Sequence, residues 1–312
     1  MAVLRAYAFS SLPWRERHVL FSLITVFLNC GIKNYGGKNM KKEIMLLDGA
    51  CGTTLWDLAE KNGIEKVQVW KYNIEHPELV RQLHRSYIAA GCNYIQTNTF
   101  SANPPAVRRD SDYTCDEVIT AAAKIALEEA AGTGAKVYLS FGPPAVLLEP
   151  YGDLEEDEAY DMFYRMTDAG MKAGVGTVAF ETFMDIEMMR IAASAAKKLG
   201  AEVFCSLTFE GRHRTMMGNT IEQIVRTLED VGVDAVGMNC SHGPVQALEI
   251  IEEYSELTKL PLYYKPNAGV GESYSAEQFA AEVAPALDYV TYLGGCCGTD
   301  AEYIRALGKL LK

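Results

Sequence analysis

Eight short apolar runs, each trailed by a helix-like segment, constrain this chain more than any other feature of its sequence. The runs fall at 44–47, 94–97, 137–141, 177–180, 202–207, 235–238, 262–265 and 289–293. They are largely apolar along their length instead of alternating, the pattern of strands covered on both faces in a parallel sheet. Helices are expected between them at 54–61, 77–90, 116–131, 155–173, 185–199, 219–231, 244–257 and 275–283, with a last one at 300–311. Their punctuation agrees: Pro77 sits just inside a start, and Gly91, Gly132, Gly200 and Gly232 sit just past ends. Eight such units in about 270 residues match a closed (β/α)8 TIM barrel. With 49% apolar residues, the chain supplies the core such a barrel needs. An open doubly wound sheet is the rival, but no GxGxxG turn follows the first run. In a barrel the C-terminal ends of the strands share one face, and that face carries the chemistry. Asp48, Asn98, Glu181, Asn239, Cys240, Asn267, Cys296 and Cys297 are therefore expected around one mouth.

The last run opens onto Gly294-Gly295-Cys296-Cys297-Gly298-Thr299, and the sixth onto Asn239-Cys240. Cys240 precedes the cysteine pair by 56 and 57 positions, so no short CxxC knuckle exists and a finger-type site is excluded. Three thiolates at strand ends suit zinc with a replaceable fourth ligand. Such an ion would accept a substrate thiol and hold it as a nucleophilic thiolate. The plainer alternative is three small side chains packing the barrel top. An iron–sulfur cluster would want a fourth thiolate, from Cys51 or Cys205. Cys30, Cys92 and Cys115 read as bystanders. His242 lies close in sequence to a proposed ligand, but three cysteines and a substrate sulfur already fill a tetrahedron.

Asp48 and Glu181 end the first and fourth runs. Each alone reads as a cap or a loop ion pair; together at one mouth they would receive an ammonium group. The turn from Asp48 through Gly49 to Thr53 offers backbone N–H groups for a carboxylate. An amino acid carrying a thiol would satisfy all three features. Asn239 is expected to orient Cys240 or hold a loop, and Asn267 has the same ambiguity.

Charge divides the chain. Residues 1–42 carry seven Lys or Arg against one acidic residue, so the remainder holds −18 of the net −12. An acidic body argues against a nucleic-acid footprint. Eight cysteines in 312 residues are far from a disulfide scaffold and fit a reducing, cytoplasmic compartment. Residues 1–40 do not share the strand–helix pattern and are expected to lie outside the fold, with Met40 as an alternative initiator. An apolar run at 19–30 behind Arg15, Arg17 and His18 has the outline of a signal peptide. It falls short of the roughly 20 residues that span a bilayer, so no stable membrane insertion is expected. The barrel domain is expected over 41–312.

Taken together, the motifs resemble those of the homocysteine S-methyltransferase family. These are zinc-dependent barrels that include the homocysteine-binding module of cobalamin-dependent methionine synthase and betaine–homocysteine methyltransferase. The resemblance runs through Leu47-Asp48-Gly49-Ala50 with Gly52-Thr53, Thr97-Asn98-Thr99-Phe100, Glu181-Thr182-Phe183, Gly237-Met238-Asn239-Cys240, Pro266-Asn267-Ala268-Gly269 and the final Gly294 to Thr299 motif. It implies that Cys240, Cys296 and Cys297 bind zinc, that Asp48 and Glu181 hold the homocysteine amino group, and that backbone groups from Gly49 to Thr53 hold its carboxylate. Asn239 joins the substrate set. Homocysteine would complete the zinc site through sulfur and attack a methyl group in line, giving methionine. For the donor, a methylated corrinoid on a separate protein docking at the mouth, or methylcobalamin, is the first expectation. A free small donor is the alternative: S-methylmethionine, S-adenosylmethionine or betaine. Trp56, Trp70, Tyr87 and Tyr151 are the aromatics that would hold a cationic donor. Thr182, where the betaine enzyme carries Tyr, weakens the betaine version. A third reading is a thiol-binding subunit of a larger methyltransferase system, without activity of its own.

Overall fold

The eight runs form eight parallel strands, and their side-chain parity builds the site. The computed structural model describes residues 43–211, 213–269 and 274–312. The extension expected over 1–40 lies outside these residues. Strand β1 is Met45–Leu46, followed by α1 (Gly52–Lys61), α2 (Tyr72–Glu75) and α3 (Pro77–Ala90). β2 (Tyr94–Gln96) leads to α4 (Pro104–Asp110) and α5 (Cys115–Ala130), and β3 (Lys136–Phe141) to α6 (Glu156–Lys172). Then come β4 (Thr177–Phe183), α7 (Ile186–Lys198), β5 (Glu202–Leu207), α8 (Ile221–Val231), β6 (Ala235–Asn239) and α9 (Pro244–Leu257). The chain ends with β7 (Leu262–Lys265), α10 (Ala276–Val283), β8 (Tyr292–Leu293) and α11 (Ala301–Leu310).

Each strand pairs in parallel with its sequence neighbour from β2 to β8, and β8 pairs with β1. β1 meets β2 through Asn93, whose N–H donates to Leu46 O at 2.7 Å and whose Oδ1 accepts from Leu46 N at 2.7 Å. The ring is thereby closed as a (β/α)8 barrel. Helix starts follow local chemistry. Thr114 with Glu117, Thr220 with Gln223 and Ser275 with Gln278 form reciprocal capping boxes that satisfy otherwise orphaned N–H groups. Helix α4 was not expected from the sequence; Asn103 caps it by accepting from Ala106 N, and two prolines occupy its first turn.

Successive residues of a strand point to opposite faces. The outward set, including Leu139, Phe180, Cys205 and Met238, packs into the main core beneath the helices. Phe163 on α6 meets Phe180 edge-on, with ring centroids 5.6 Å apart. The inward set begins with a second, smaller cluster of Leu47, Tyr94, Tyr138, Ala179, Phe204, Ala235 and Tyr263, which fills the barrel. Two residues further along the same strands the inward positions turn polar. Tyr94 gives way to Gln96, Tyr138 to Ser140, Ala179 to Glu181, Phe204 to Ser206 and Tyr263 to Lys265, all buried. Gly237 belongs to this inward set; a Cβ there would lie 1.8 Å from Tyr263 O, so only glycine lets β6 and β7 approach as they do.

Candidate metal centre and substrate cavity

Above the polar layer lies a cavity of about 320 Å³ at the C-terminal ends of the strands. Its wall includes Gly49 to Thr53, Glu181, Asn239, Lys265 and the three cysteines, with Trp56 and Phe100 at 40% exposure. Phe100 lies over Gly142, where a Cβ would stand 2.6 Å from its ring.

The three thiols predicted to act together do converge. Cys240 Sγ lies 3.0 Å from Cys296 Sγ and 3.5 Å from Cys297 Sγ, and all three sulfurs fall within 4.8 Å of one another. Tetrahedral zinc with Zn–S of about 2.3 Å would set sulfurs about 3.8 Å apart, so the trio fits that ion after a small opening. The donor set also calls for a cation. Hydrogen bonds from Cys240 and Cys296 pull the Cys297 thiol down, while the contacts with Cys296 and Cys297 push Cys240 up. Three sulfurs this close become three thiolates only against added positive charge. The trio matches a three-cysteine zinc site. Among the described residues no other cluster of His, Cys, Asp or Glu is arranged to hold a metal.

Backbone strain marks the ligand-bearing turn. Cys240 and Ser241 adopt φ of 58° and 59°, and Thr182 near the end of β4 adopts 65°. These are left-handed conformations that non-glycine residues rarely take; Cys240 and Thr182 line the cavity, while Ser241 Oγ bonds to Thr208 Oγ1 and Phe209 N. Asn239 holds them. Its Oδ1 accepts from Thr182 N and Ser206 Oγ, both at 2.7 Å, and its Nδ2 donates to Thr182 Oγ1 at 2.7 Å and points at Cys296 Sγ at 3.8 Å. Asn239 thus supports the metal turn from the cavity wall.

Asp48 and Glu181 are brought to one layer, but a third residue joins them. Lys265 Nζ stands 3.4 Å from Asp48 Oδ1, 3.4 Å from Glu181 Oε1 and 3.0 Å from Tyr138 OH, with all three charged side chains at most 4% exposed. Each carboxylate is also held by neutral donors. Gln96 N–H and Tyr138 OH donate to Asp48 at 2.7 and 3.1 Å, while Ser140 Oγ and Tyr263 OH donate to Glu181, both at 2.7 Å. Burial pushes Asp48 up to about 6 against the pull of Lys265. Burial would lower the Lys265 ammonium, but the charge of Glu181, with Tyr263 and Asp48, holds it well above its ordinary range. Glu181 and Lys265 line the cavity; Asp48 sits behind them. The sequence reading missed Lys265, although its parity with Tyr263 and its place at a strand end carried the signal.

Gly49 and Thr53 lie along the cavity at the start of α1, whose N-cap residue Cys51 supplies no side-chain cap. A helix start without a side-chain cap leaves backbone N–H groups free to meet an anion. Other expected residues lie elsewhere. Trp70 is fully buried beside Ala102, Val107 and Val118, and Tyr87 is buried with its hydroxyl donating to Ala50 O at 2.6 Å. Tyr151 is 73% exposed and does not line the cavity, which leaves Trp56 among the named aromatics. Cys205 faces the helix layer and Cys51 donates to Asn98 Oδ1, so neither joins the trio. Asn98 ties the first loops together through Val69 O and Asn73. Asn267 is buried near the mouth with no partner for its Oδ1. No described helix is long and apolar enough to cross a membrane.

Comparison with known proteins adds to this geometry. The family model for homocysteine S-methyltransferase matches residues 45–311. Methionine synthase of Mycobacterium leprae is 27% identical over 299 residues, and that of Mycobacterium tuberculosis 26% over 300. These alignments cover 86% and 85% of this chain, but the chain spans only about a quarter (24%) of each relative. Among solved structures, the homocysteine methyltransferase MmuM from Escherichia coli superposes in its metallated form with a TM-score of 0.72 and in its oxidised form with 0.73. Both are 24% identical, covering 86% of this chain and 96% of that one, and show the shared fold.

Proposed function

The chain belongs to the homocysteine S-methyltransferase family, and we propose that it methylates the sulfur of homocysteine in this cavity, forming methionine. The observation that carries the reading is the convergence of three thiols with ammonium- and carboxylate-complementary groups on one 320 Å³ cavity. Cys240, Cys296 and Cys297 would hold zinc, which when bound would supply a Lewis acid keeping a fourth sulfur ligand deprotonated near neutral pH. The chain's own groups position the acceptor. Glu181, backed by Asp48, receives the α-ammonium, and N–H groups of the Gly49 to Thr53 turn, other than that of Ala50, which Thr299 holds, receive the α-carboxylate. Asn239 keeps the Cys240 turn and Thr182 in register. The substrate sulfur forms its bond to the methyl carbon as the bond from that carbon to the leaving group breaks, and the thiol proton passes to solvent. A reducing compartment, the cytoplasm, suits three thiols that must stay reduced.

For the methyl donor, support favours a free small molecule over the corrinoid protein placed first on sequence. The likeness to MmuM spans 96% of that homocysteine methyltransferase, whereas the match to the methionine synthases spans 24% of each. Trp56 and Phe100 at the cavity offer π faces to a sulfonium or ammonium donor. Docking of a methylated corrinoid protein stays as the second reading because Leu147, Tyr151 and Met216, on the loops after β3 and β5, are exposed apolar side chains. The test is methionine formation by the zinc-loaded full chain from L-homocysteine with S-methylmethionine, S-adenosylmethionine, betaine or methylcobalamin, each supplied alone. Turnover with a small cationic donor supports the first reading, and turnover with methylcobalamin alone supports the second. Bound zinc without methionine from any donor would sink both and leave a thiol-binding subunit.

A further inference from the structure

Lys265 sits at the centre of the polar layer, with its ammonium between two carboxylates and a phenol. It donates to Tyr138 OH at 3.0 Å and Asp48 Oδ1 at 3.4 Å, and forms an ion pair with Glu181 Oε1 at 3.4 Å. Two carboxylates and one ammonium give the cluster a formal charge of −1. It is enclosed, with Asp48, Lys265 and Glu181 all under 5% exposed. In so dry a setting each unit of charge matters far more than at a surface.

We propose that Lys265 is a positioning and specificity-determining residue for the acceptor: it holds the Asp48 and Glu181 carboxylates in one arrangement and leaves the cluster a single negative charge, the complement of one α-ammonium. The inference rests on the reading that the acceptor's amino group docks at Glu181. A zwitterionic amino acid brings the cluster to neutrality. A thiol without the amino group leaves the buried charge unmatched and binds weakly. Without the lysine, two carboxylates face the same gap with no cation between them. Like charges so close in a desolvated site repel, and the arrangement that receives an ammonium is lost.

The test is titration calorimetry on the zinc-loaded full chain with two thiols: L-homocysteine and its des-amino analogue 4-sulfanylbutanoate. Zinc content is measured alongside. The wild-type protein is expected to prefer homocysteine by at least about 30-fold, as a site built around a polar group rejects the analogue lacking it. Lys265→Met is expected to keep its zinc but shrink that preference to within about threefold. Combining Lys265→Met with Asp48→Asn restores the formal charge of −1 with Glu181 alone, and a preference of at least about tenfold is expected to return. A packing role for Lys265 would weaken both thiols equally and leave their ratio unchanged, which would overturn the proposal. So would a double variant that shows no preference, and that arm stands even if Lys265→Met alone fails to fold. Equal binding of the two thiols by the wild-type protein would instead remove the amino-docking reading, and this inference with it.

Discussion

Two clusters of three titratable side chains meet at the cavity, and they solve the same electrostatic problem in opposite ways. The thiol trio is half-buried and carries no cation of its own; its protons are shared among the sulfurs, and it becomes a full set of anions only around a metal. The Asp48–Lys265–Glu181 triad is buried and brings its cation on β7, so it is preformed. One cluster is a socket for an ion taken from outside, and the other is a fixed surface with one charge to spare. The proposed two-point acceptor site would use both: a soft, exchangeable end for sulfur and a hard, pre-set end for the amino group.

The largest effect should come from breaking the socket. Cys297→Ala removes one of three ligands, and zinc content and methionine formation should fall together, the latter by at least about 1,000-fold. Retention of stoichiometric zinc would show that the trio is not the metal set. A contrasting buried group sharpens the point. His84 on α3 is fully buried, its two ring nitrogens have no partner, and burial lowers it to about 4. As pH falls, the unfolded chain takes up this proton near 6.5 and the folded one only near 4. Stability from this group is therefore full above about 6.5 and lost as pH falls through about 4, amounting to about 3 kcal/mol. His84→Leu should flatten the fall in thermal or urea stability between those pH values, leaving zinc and activity intact.

Within the triad the expected effects are smaller. Glu181→Gln should retain zinc and weaken homocysteine binding by about 10- to 100-fold, the weight of about 1.5–3 kcal/mol for a hydrogen bond to a charged group. A calorimetric titration checks it, and unchanged affinity would move the amino group elsewhere. Tyr263→Phe removes only the neutral donor at 2.7 Å from Glu181. It should cost about 1 kcal/mol in stability by urea unfolding and a few-fold in homocysteine affinity. A loss as large as that of Glu181→Gln would mean that the phenol, and not the carboxylate, is the group that matters.

Much of this was legible because strand parity and terminal glycines are local signals. Uninterrupted apolar runs betrayed the parallel barrel, and the Asn-Cys and Gly-Gly-Cys-Cys ends betrayed the trio. Lys265 was not legible in the same way. Read along the chain, a lysine after Tyr263 and Tyr264 is a solvent-facing end to a strand, and only the parity shared with Tyr263 turns it inward. Its partners come from β3 and β4 and from the end of β1, so the reason for burying a lysine is non-local. Trp70 failed for the converse reason: a loop aromatic beside charged neighbours suggests a binding face, yet it packs under α4 and α5 with Val107 and Val118. Helix α4 was hidden because a seven-residue segment with two leading prolines carries too little periodicity to be read.

The closure of the barrel ties the first strand to the last at the site itself. Ala50 N–H donates to Thr299, 249 positions away, and Gly295 N–H donates to Asp48 O at 3.2 Å. Cys240 therefore waits through the synthesis of 56 further residues before Cys296 exists, roughly 3–11 s at translation speed. Until β8 docks against β1 and β7, the nascent polypeptide holds an isolated thiol on an open sheet. Metal uptake is thus a late event on the way to the native state, and zinc stoichiometry counts the molecules whose ring has shut.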